Sequence, residues 1–170
     1  GARLLAWLDE EQAFWCLAQV ICTLLPRDYY TTMVGILIDQ RVFADLLATE
    51  LPEYKNHLLS LGGTGFELPL MSTEWFLTMF SSSGNPASQV PSVWDSLFLH
   101  RSDQILFLIA LASTKHHLPE LLQTKSYGDA LASMDRMIHS DVDPAILMPG
   151  ALQLADAVPV EKICELRDKH

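Results

Sequence analysis

The sequence predicts an all-α fold of about nine to eleven helices that pack irregularly. Apolar residues recur every three or four positions over most of the chain, which is the period of a helix with one buried face. Prolines, glycines and capping side chains stand at the breaks between these stretches. No segment shows the sustained alternation of a half-buried strand, and no fixed repeat predicts a regular solenoid.

The first complete helix begins at Asp9. Its carboxylate can cap the helix, Gln12 stands where a capping box needs a side-chain acceptor, and the acids of the first turn favour the positive end of the helix dipole. Apolar residues then follow at helical spacing until Pro26 ends the helix. Residues 1–8 have neither an initiator Met nor a cap, so we interpret them as the end of a helix that begins upstream.

The next segments have equally clear breaks. Asp28-Tyr29-Tyr30 leads into a helix that runs to Leu51-Pro52, and Pro52 can occupy the first turn of a short helix ending near Leu61. Gly62-Gly63-Thr64-Gly65 is predicted to turn the chain, because it lacks the Lys-Ser/Thr and the preceding strand of a phosphate-binding loop. A buried helix is expected over Ser72–Phe80, followed by a polar loop from Ser81 to Pro86.

Five helices are predicted for the remainder of the chain. Strongly apolar ones lie around 90–98 and 105–111, and weaker amphipathic ones lie near 126–138, 144–156 and 160–168.

The charge balance argues against several classes of partner. The net charge is −10, and the acidic excess is spread over the whole chain. No Lys or Arg run could neutralise phosphates, so we expect no nucleic-acid partner, and an anionic membrane would repel this surface. No apolar run reaches the roughly 18–20 residues of a membrane span.

The usual signs of a catalytic or metal site are weak. His116-His117 is the one adjacent histidine pair, but neighbouring helical residues diverge and no nearby Cys or Asp completes a metal site. The acids of residues 9–11 suit a helix start better than acid–base catalysis. We therefore predict no catalytic residue, no cofactor and no metal in this chain.

Polar residues within two apolar helices leave one question open. Asp39, Gln40 and Arg41 interrupt the second helix, and Asp95 follows Trp94 on a helix expected to be mostly buried. A partly buried carboxylate needs a partner. Arg27, Arg41 or helix-end amides could pair with it within the fold, or the carboxylate could contact a partner protein directly.

Six motifs occur in an order that resembles one domain family. They are Asp9-Glu10-Glu11-Gln12-Ala13-Phe14-Trp15, Leu25-Pro26-Arg27-Asp28-Tyr29-Tyr30, Asp39-Gln40-Arg41-Val42-Phe43, Leu51-Pro52, Trp75-Phe76-Leu77-Thr78-Met79-Phe80 and Trp94-Asp95-Ser96-Leu97-Phe98. This order is similar to that of TBC domains, the fold of Rab GTPase-activating proteins, over residues 4–112. The resemblance implies the C-terminal subdomain of that fold, with structural motif residues Phe14, Trp15, Asp39, Gln40, Trp75, Phe76, Trp94 and Asp95.

The resemblance also implies an activity and a partner. TBC domains accelerate GTP hydrolysis by Rab GTPases with an arginine in Ile-x-x-Asp-x-x-Arg and a glutamine in Tyr-x-Gln. An arginine supplied in this way is typically worth about 10³–10⁵ in rate. Neither motif is in this sequence, so we expect a fragment of an activator of GTP-bound Rab that is inactive alone, or else a non-catalytic adaptor. The family implies a cytoplasmic protein recruited to endomembranes.

The resemblance predicts two regions and an exposed surface. Residues 1–115 are expected to be the C-terminal part of a TBC domain, and residues 116–170 a helical extension, specific to this lineage, that packs on the same domain. In the family, Trp7, Phe14 and Trp15 belong to a core shared with the upstream half. Without that half, we expect an exposed aromatic patch and self-association. We also expect Trp15, Trp75 and Trp94 to share one interior.

Overall fold

The computed structural model describes residues 4–27, 29–82 and 89–170. Asp28, Arg3 and most of the predicted loop from Ser81 to Pro86 lie outside these residues. The described part is all-helical, as predicted, and none of it lies in a β-strand. Its ten α-helices are α1 Glu10–Gln19, α2 Val34–Glu50, α3 Pro52–Ser60, α4 Glu67–Met71, α5 Thr73–Thr78, α6 Gln89–His100, α7 Gln104–Leu121, α8 Tyr127–Ile138, α9 Pro144–Leu152 and α10 Val160–Lys169.

The start of α1 is as the sequence predicts. The Asp9 carboxylate accepts a hydrogen bond from the Gln12 backbone N–H at 2.8 Å, and the Gln12 side chain accepts from the Asp9 N–H, which completes the capping box. Residues Leu4–Ala6 before it form a short 3₁₀ helix, and α1 continues after its end as a π-helical segment, Val20–Leu24. Leu25 is extended, as expected for a residue before proline.

The core is organised around α2, α5 and α7. The ring centroids of Phe43 and Phe76 lie 5.5 Å apart, and those of Phe76 and Phe107 lie 5.0 Å apart, so one aromatic ladder joins the three helices. Trp75 is buried beside this ladder, and its indole N–H donates to the Ile138 carbonyl at 3.3 Å. That bond fixes the end of α8 against α5.

The glycine-rich segment is a turn, and it positions a buried carboxylate. Gly62 and Gly65 have φ values of 88° and 82°, a region that glycine occupies without strain. Glu67 accepts hydrogen bonds from the Thr64 backbone N–H at 2.7 Å and from the Tyr127 hydroxyl at 3.2 Å. Burial favours the neutral acid, but these bonds outweigh it and lower the pKa of Glu67. The turn thereby links α4 to α8.

The last three helices pack on the earlier ones. Helix α7 runs without a break through residues 115 and 116, α9 packs along it, and α8 packs on α4 and α7. Helix α10 lies on α2. Among the described residues, no helix combines the length and apolarity that crossing a membrane requires.

Candidate functional site

An exposed aromatic surface lies at the beginning of the described chain. Leu5, Trp7, Phe14 and Trp15 have 53%, 50%, 62% and 63% of their surface exposed, and we call these four residues the aromatic face. The rings of Phe14 and Trp15 meet edge to face, with centroids 5.2 Å apart. Clustered exposure of this kind is typical of surfaces that bind another polypeptide, whereas single exposed apolar residues are ordinary.

Two depressions border the aromatic face. One, of about 260 Å³, is lined by Leu5, Glu10, Ala13, Phe14 and Leu17. The other is a groove of about 210 Å³ between the first residues and α6, lined by Leu4, Trp7, Leu8, Cys16, Val90, Pro91, Trp94, Asp95 and Phe98. Both are mainly apolar, with one carboxylate each at their edges. They offer mainly apolar contact area, and the groove also contains the free thiol of Cys16.

Trp94 combines burial with an unused hydrogen-bond donor. Only 4% of its surface is exposed, yet its indole N–H has no hydrogen-bond acceptor among the described residues. Its neighbour Asp95 is exposed and lines the groove. The expectation that Asp95 is a partly buried carboxylate in need of a partner is therefore wrong. Asp95 is the residue after Trp94 on α6, and it faces solvent where Trp94 faces the core.

The expectation of one interior shared by three tryptophans is half right. Trp75 and Trp94 are 2% and 4% exposed, whereas Trp15 is 63% exposed. Trp15 lies on α1, whose only buried residue is Ala13, so little of this helix packs on the core. The predicted aromatic patch at Trp7, Phe14 and Trp15 is present instead.

The second motif lies in the core and is tied to the end of the chain. Asp39 and Gln40 are 2% and 5% exposed. The Gln40 amide donates to the Thr73 hydroxyl, which joins α2 to α5. The Arg167 guanidinium donates to both carboxylate oxygens of Asp39, with Nε–Oδ1 at 2.8 Å and Nη2–Oδ2 at 3.0 Å.

The same guanidinium bridges a second carboxylate. Its Nη2 lies 2.6 Å from Asp103 Oδ2, and its central carbon lies 5.5 Å from the centroid of the Phe107 ring. The expected partners Arg27 and Arg41 are not the ones used, because both are exposed. Arg167 lies outside the six family motifs, and it is 128 positions from Asp39 in the sequence. No local signal in the sequence could have identified this pair.

Burial and the contacts between opposite charges together set the ionisation of this cluster. Desolvation raises the pKa of Asp39, although the bond and the charge of Arg167 act in the opposite direction. Desolvation alone would lower the pKa of Arg167, but Asp39 and Asp103 outweigh it and raise the value. Tyr29 is also buried, and desolvation together with the nearby Asp39 charge raises the pKa of its hydroxyl. The cluster therefore holds a fixed arginine cation between two acids.

The histidine pair lies within α7, and the acids of residues 9–11 lie at the start of α1. His116 is exposed, and His117 Nδ1 lies 2.9 Å from the Ser113 carbonyl within α7. Across residues 4–27, 29–82 and 89–170, no group of three or more His, Cys, Asp and Glu side chains is placed to hold a metal ion.

Comparison with known proteins identifies the relatives. A model of the Rab-GTPase-TBC domain matches residues 1–122. TBC1 domain family member 2A of Mus musculus is 33% identical over 98% of this chain and 18% of its own length. Member 2B of Mus musculus is 38% identical over 99% of the chain and 17% of its length. Small G protein signaling modulator 3 of Homo sapiens is 31% identical over the whole chain and 22% of its length. No solved structure matches the chain.

The extent of these matches corrects one expectation. They run through residues 113–170, so this region is shared with mouse and human relatives and is not specific to one lineage. The chain spans about a fifth of the length of the curated relatives it matches.

Proposed function

The chain belongs to the Rab-GTPase-TBC domain family, and on that premise we propose that it is the supporting part of an activator of Rab GTPases. The observation that carries the proposal is the family match, which covers the helices that pack Trp75, Phe76 and Trp94 into one core. Residues 1–115 act as the C-terminal part of the TBC domain, and residues 116–170 are a helical extension packed on it. Asp39, Gln40, Trp75, Phe76 and Trp94 serve the fold, while Phe14, Trp15 and Asp95 serve its exposed contacts.

The catalytic step needs groups that this sequence lacks. In the family, an arginine stabilises the charge that develops on the transferred phosphoryl group, and a glutamine orients the attacking water. None of the six arginines follows an Ile-x-x-Asp lead, and no glutamine stands two residues after a tyrosine. The 170-residue chain is therefore inactive alone. It acts on GTP-bound Rab only as part of the parent protein, which a membrane-anchored Rab recruits from the cytoplasm to endomembranes.

The aromatic face is where the finger-bearing half of the domain docks. Four apolar side chains that are half or more exposed would otherwise face water, at a cost of roughly 25 cal/mol per Å² of apolar surface. The isolated chain consequently self-associates through this surface. Light scattering should detect oligomers, and a hydrophobic dye should bind to them. A monodisperse monomer that binds no dye would contradict this proposal.

A non-catalytic adaptor is the second candidate. It is favoured by what the described surface offers, which is apolar contact area without an arginine or lysine in residues 4–26. Such a protein would hold a GTPase or a scaffold protein without accelerating hydrolysis.

One assay separates the candidates. Single-turnover hydrolysis by GTP-loaded Rab should proceed at its intrinsic rate with the 170-residue chain. The parent protein should accelerate it by about 10³–10⁵ if it is an activator. If the parent protein binds GTP-bound Rab but does not accelerate hydrolysis, the protein is an adaptor. Clear acceleration by the 170-residue chain alone would show that our account of the missing fingers is wrong.

A further inference from the structure

Helix α10 has charges of opposite sign on its two sides. Lys162, Arg167 and Lys169 face α2, where each meets an acidic residue of that helix: Glu50 at 2.7 Å, Asp39 at 2.8 Å and Asp45 at 2.7 Å. The exposed side carries Glu161, Glu165 and Asp168. Charge complementarity, rather than apolar contact, therefore positions α10 on α2.

Apolar contact contributes little to this docking. Ile163 is the one buried residue of α10, and Leu166 is half-buried. The helix has ten residues and no side-chain cap at its start, and helices of that length are marginal in water without tertiary contacts. Separation of α10 from α2 would thus expose little apolar surface of α10 itself.

A short, anchored linker lies immediately before α10. Val158 is fully buried, and its carbonyl accepts a hydrogen bond from the Gln104 side chain at 2.7 Å, which anchors the linker to α7. Pro159 follows in an extended conformation and precedes the first residue of α10. Movement at this point would release α10 alone and leave the rest of the chain in place.

Release of α10 would leave a cluster of carboxylates without cations on the surface that α10 covers. Asp39 and Asp103 face the position of a single guanidinium, and Asp45 and Glu50 lie on the same helix as Asp39. Carboxylates that have been partly removed from water need a cation, and two of them need the bidentate geometry of an arginine. The two carboxylates therefore favour an arginine side chain as their ligand.

We propose that this surface is an exchangeable docking site, occupied by α10 in the chain itself and open to a basic amphipathic helix of a partner protein. The partner helix needs an arginine at the position of Arg167, a cation five residues before it and a cation two residues after it, with apolar residues at the places of Ile163 and Leu166. This site lies apart from the aromatic face and does not depend on the proposed GTPase-activating role.

A labelled peptide with the sequence of residues 159–170 tests the proposal on the full chain. The variant Lys162→Ala/Arg167→Ala/Lys169→Ala vacates the site, and Glu161→Gln/Glu165→Gln/Asp168→Asn is the matched control on the exposed side. By fluorescence anisotropy, the vacated variant should bind the peptide at least about tenfold more tightly than the control variant does. Raising the salt from about 50 mM to about 500 mM should weaken binding. A peptide with Arg167→Lys should bind less well, because an ammonium cannot bridge two carboxylates in the same way.

Equal binding to both variants would overturn the proposal. So would a wild-type dimer that Arg167→Ala abolishes, because the occupant would then be the α10 of a second copy. Hydrogen exchange on the wild-type chain gives a readout that needs no variant. The α10 amides should exchange at least about a hundredfold faster than those in the middle of α7, through an opening confined to that helix. Exchange of α10 only through global unfolding would also overturn the proposal.

Discussion

Replacement of Arg167 by alanine tests the importance of the cluster that ties the end of the chain to the core. The side chains of Arg167, Asp39 and Asp103 are 18%, 3% and 11% exposed. Removing one partner of a buried ion pair typically costs about 3–5 kcal/mol, because the remaining charge loses its compensation. Two carboxylates would lose the same cation here, so we expect a loss near the upper part of that range for as long as α10 stays docked.

Undocking of α10 sets a ceiling on this loss. If keeping Asp39 buried without its cation costs more than separating α10 from α2, the helix will separate and water will solvate the carboxylate. The loss of unfolding free energy would then equal the docking free energy of α10. Chemical denaturation followed by circular dichroism measures the loss, and Lys169→Ala is the control. Because Lys169 is 61% exposed, its ion pair with Asp45 should contribute no more than about 1 kcal/mol.

The pH dependence distinguishes the two outcomes. A buried Asp39 without its cation has a pKa raised still further above its unfolded value. Its folded state then binds more protons than the unfolded state, so the deficit of the variant should shrink as the pH falls from about 7 to about 4. An undocked α10 would leave a hydrated Asp39 and a deficit with little dependence on pH. A loss below about 1 kcal/mol at neutral pH, with α10 still protected from exchange, would refute the reasoning.

Three further tests, which use five variants, address other parts of the structure. Glu67→Gln should make stability depend less on pH below about pH 5. A carboxylate whose pKa is lowered by folding stabilises the fold at pH values above its unfolded-state pKa and loses that contribution on acidification. Thermal melts across this pH range would measure the difference. Gly35→Ala should cost about 1–3 kcal/mol, because its Cβ would lie 2.8 Å from the Tyr29 ring, whereas Gly128→Ala on α8 meets nothing closer than 4.0 Å and should be neutral or stabilising in the same denaturation assay. Phe14→Ser/Trp15→Ser should reduce dye binding and oligomer formation in light scattering and cost less than about 1 kcal/mol, whereas Trp75→Ala in the core should cost about 3–5 kcal/mol.

Local signals were sufficient for most of the fold. The capping box predicted the start of α1, and Pro52 predicted the start of α3. They were insufficient where a backbone conformation is not signalled by the residue type. Asp28-Tyr29-Tyr30 is expected to lead into α2, but the sequence predicts no exact first residue. The helix begins at Val34, after Met33 in a left-handed conformation with φ of 60°. Nothing in the residue type signals that conformation, since methionine rarely adopts it.

Two helices departed from the predicted pattern for different reasons. Helix α4 has only five residues and includes Pro69, so it is too short to show a helical period and carries a residue that usually breaks one. Helix α7 extends to Leu121 although Pro119 lies within it. A proline this near the end of a helix removes a single backbone hydrogen bond, and the buried Leu118 and Leu121 continue the packing face.

The candidate site likewise contains one part that the sequence predicted and one part that it did not. Its exposed aromatic residues followed from the family motifs, because those motifs name the helix that should meet a second half. The partner of Asp39 did not follow, because pairing over 128 residues is decided by the fold and leaves no trace in the neighbouring sequence. A carboxylate within an apolar stretch predicted that a cation must be near, but its identity required coordinates.

The even spread of acidic charge along the sequence conceals a local complementarity that links the two regions. Three of the five basic residues after position 115 lie on α10, and all three meet acids of α2. The buried Asp39 of a family motif thus depends on a cation from the end of the chain for its compensation. If α10 were removed, Asp39 and Asp103 would become an uncompensated acidic site in a chain that already carries a net charge of −10. The cations of α10 therefore compensate the buried and partly buried acids of α2. A mutation that removes one of these charges from either helix should change the exposure of the other helix.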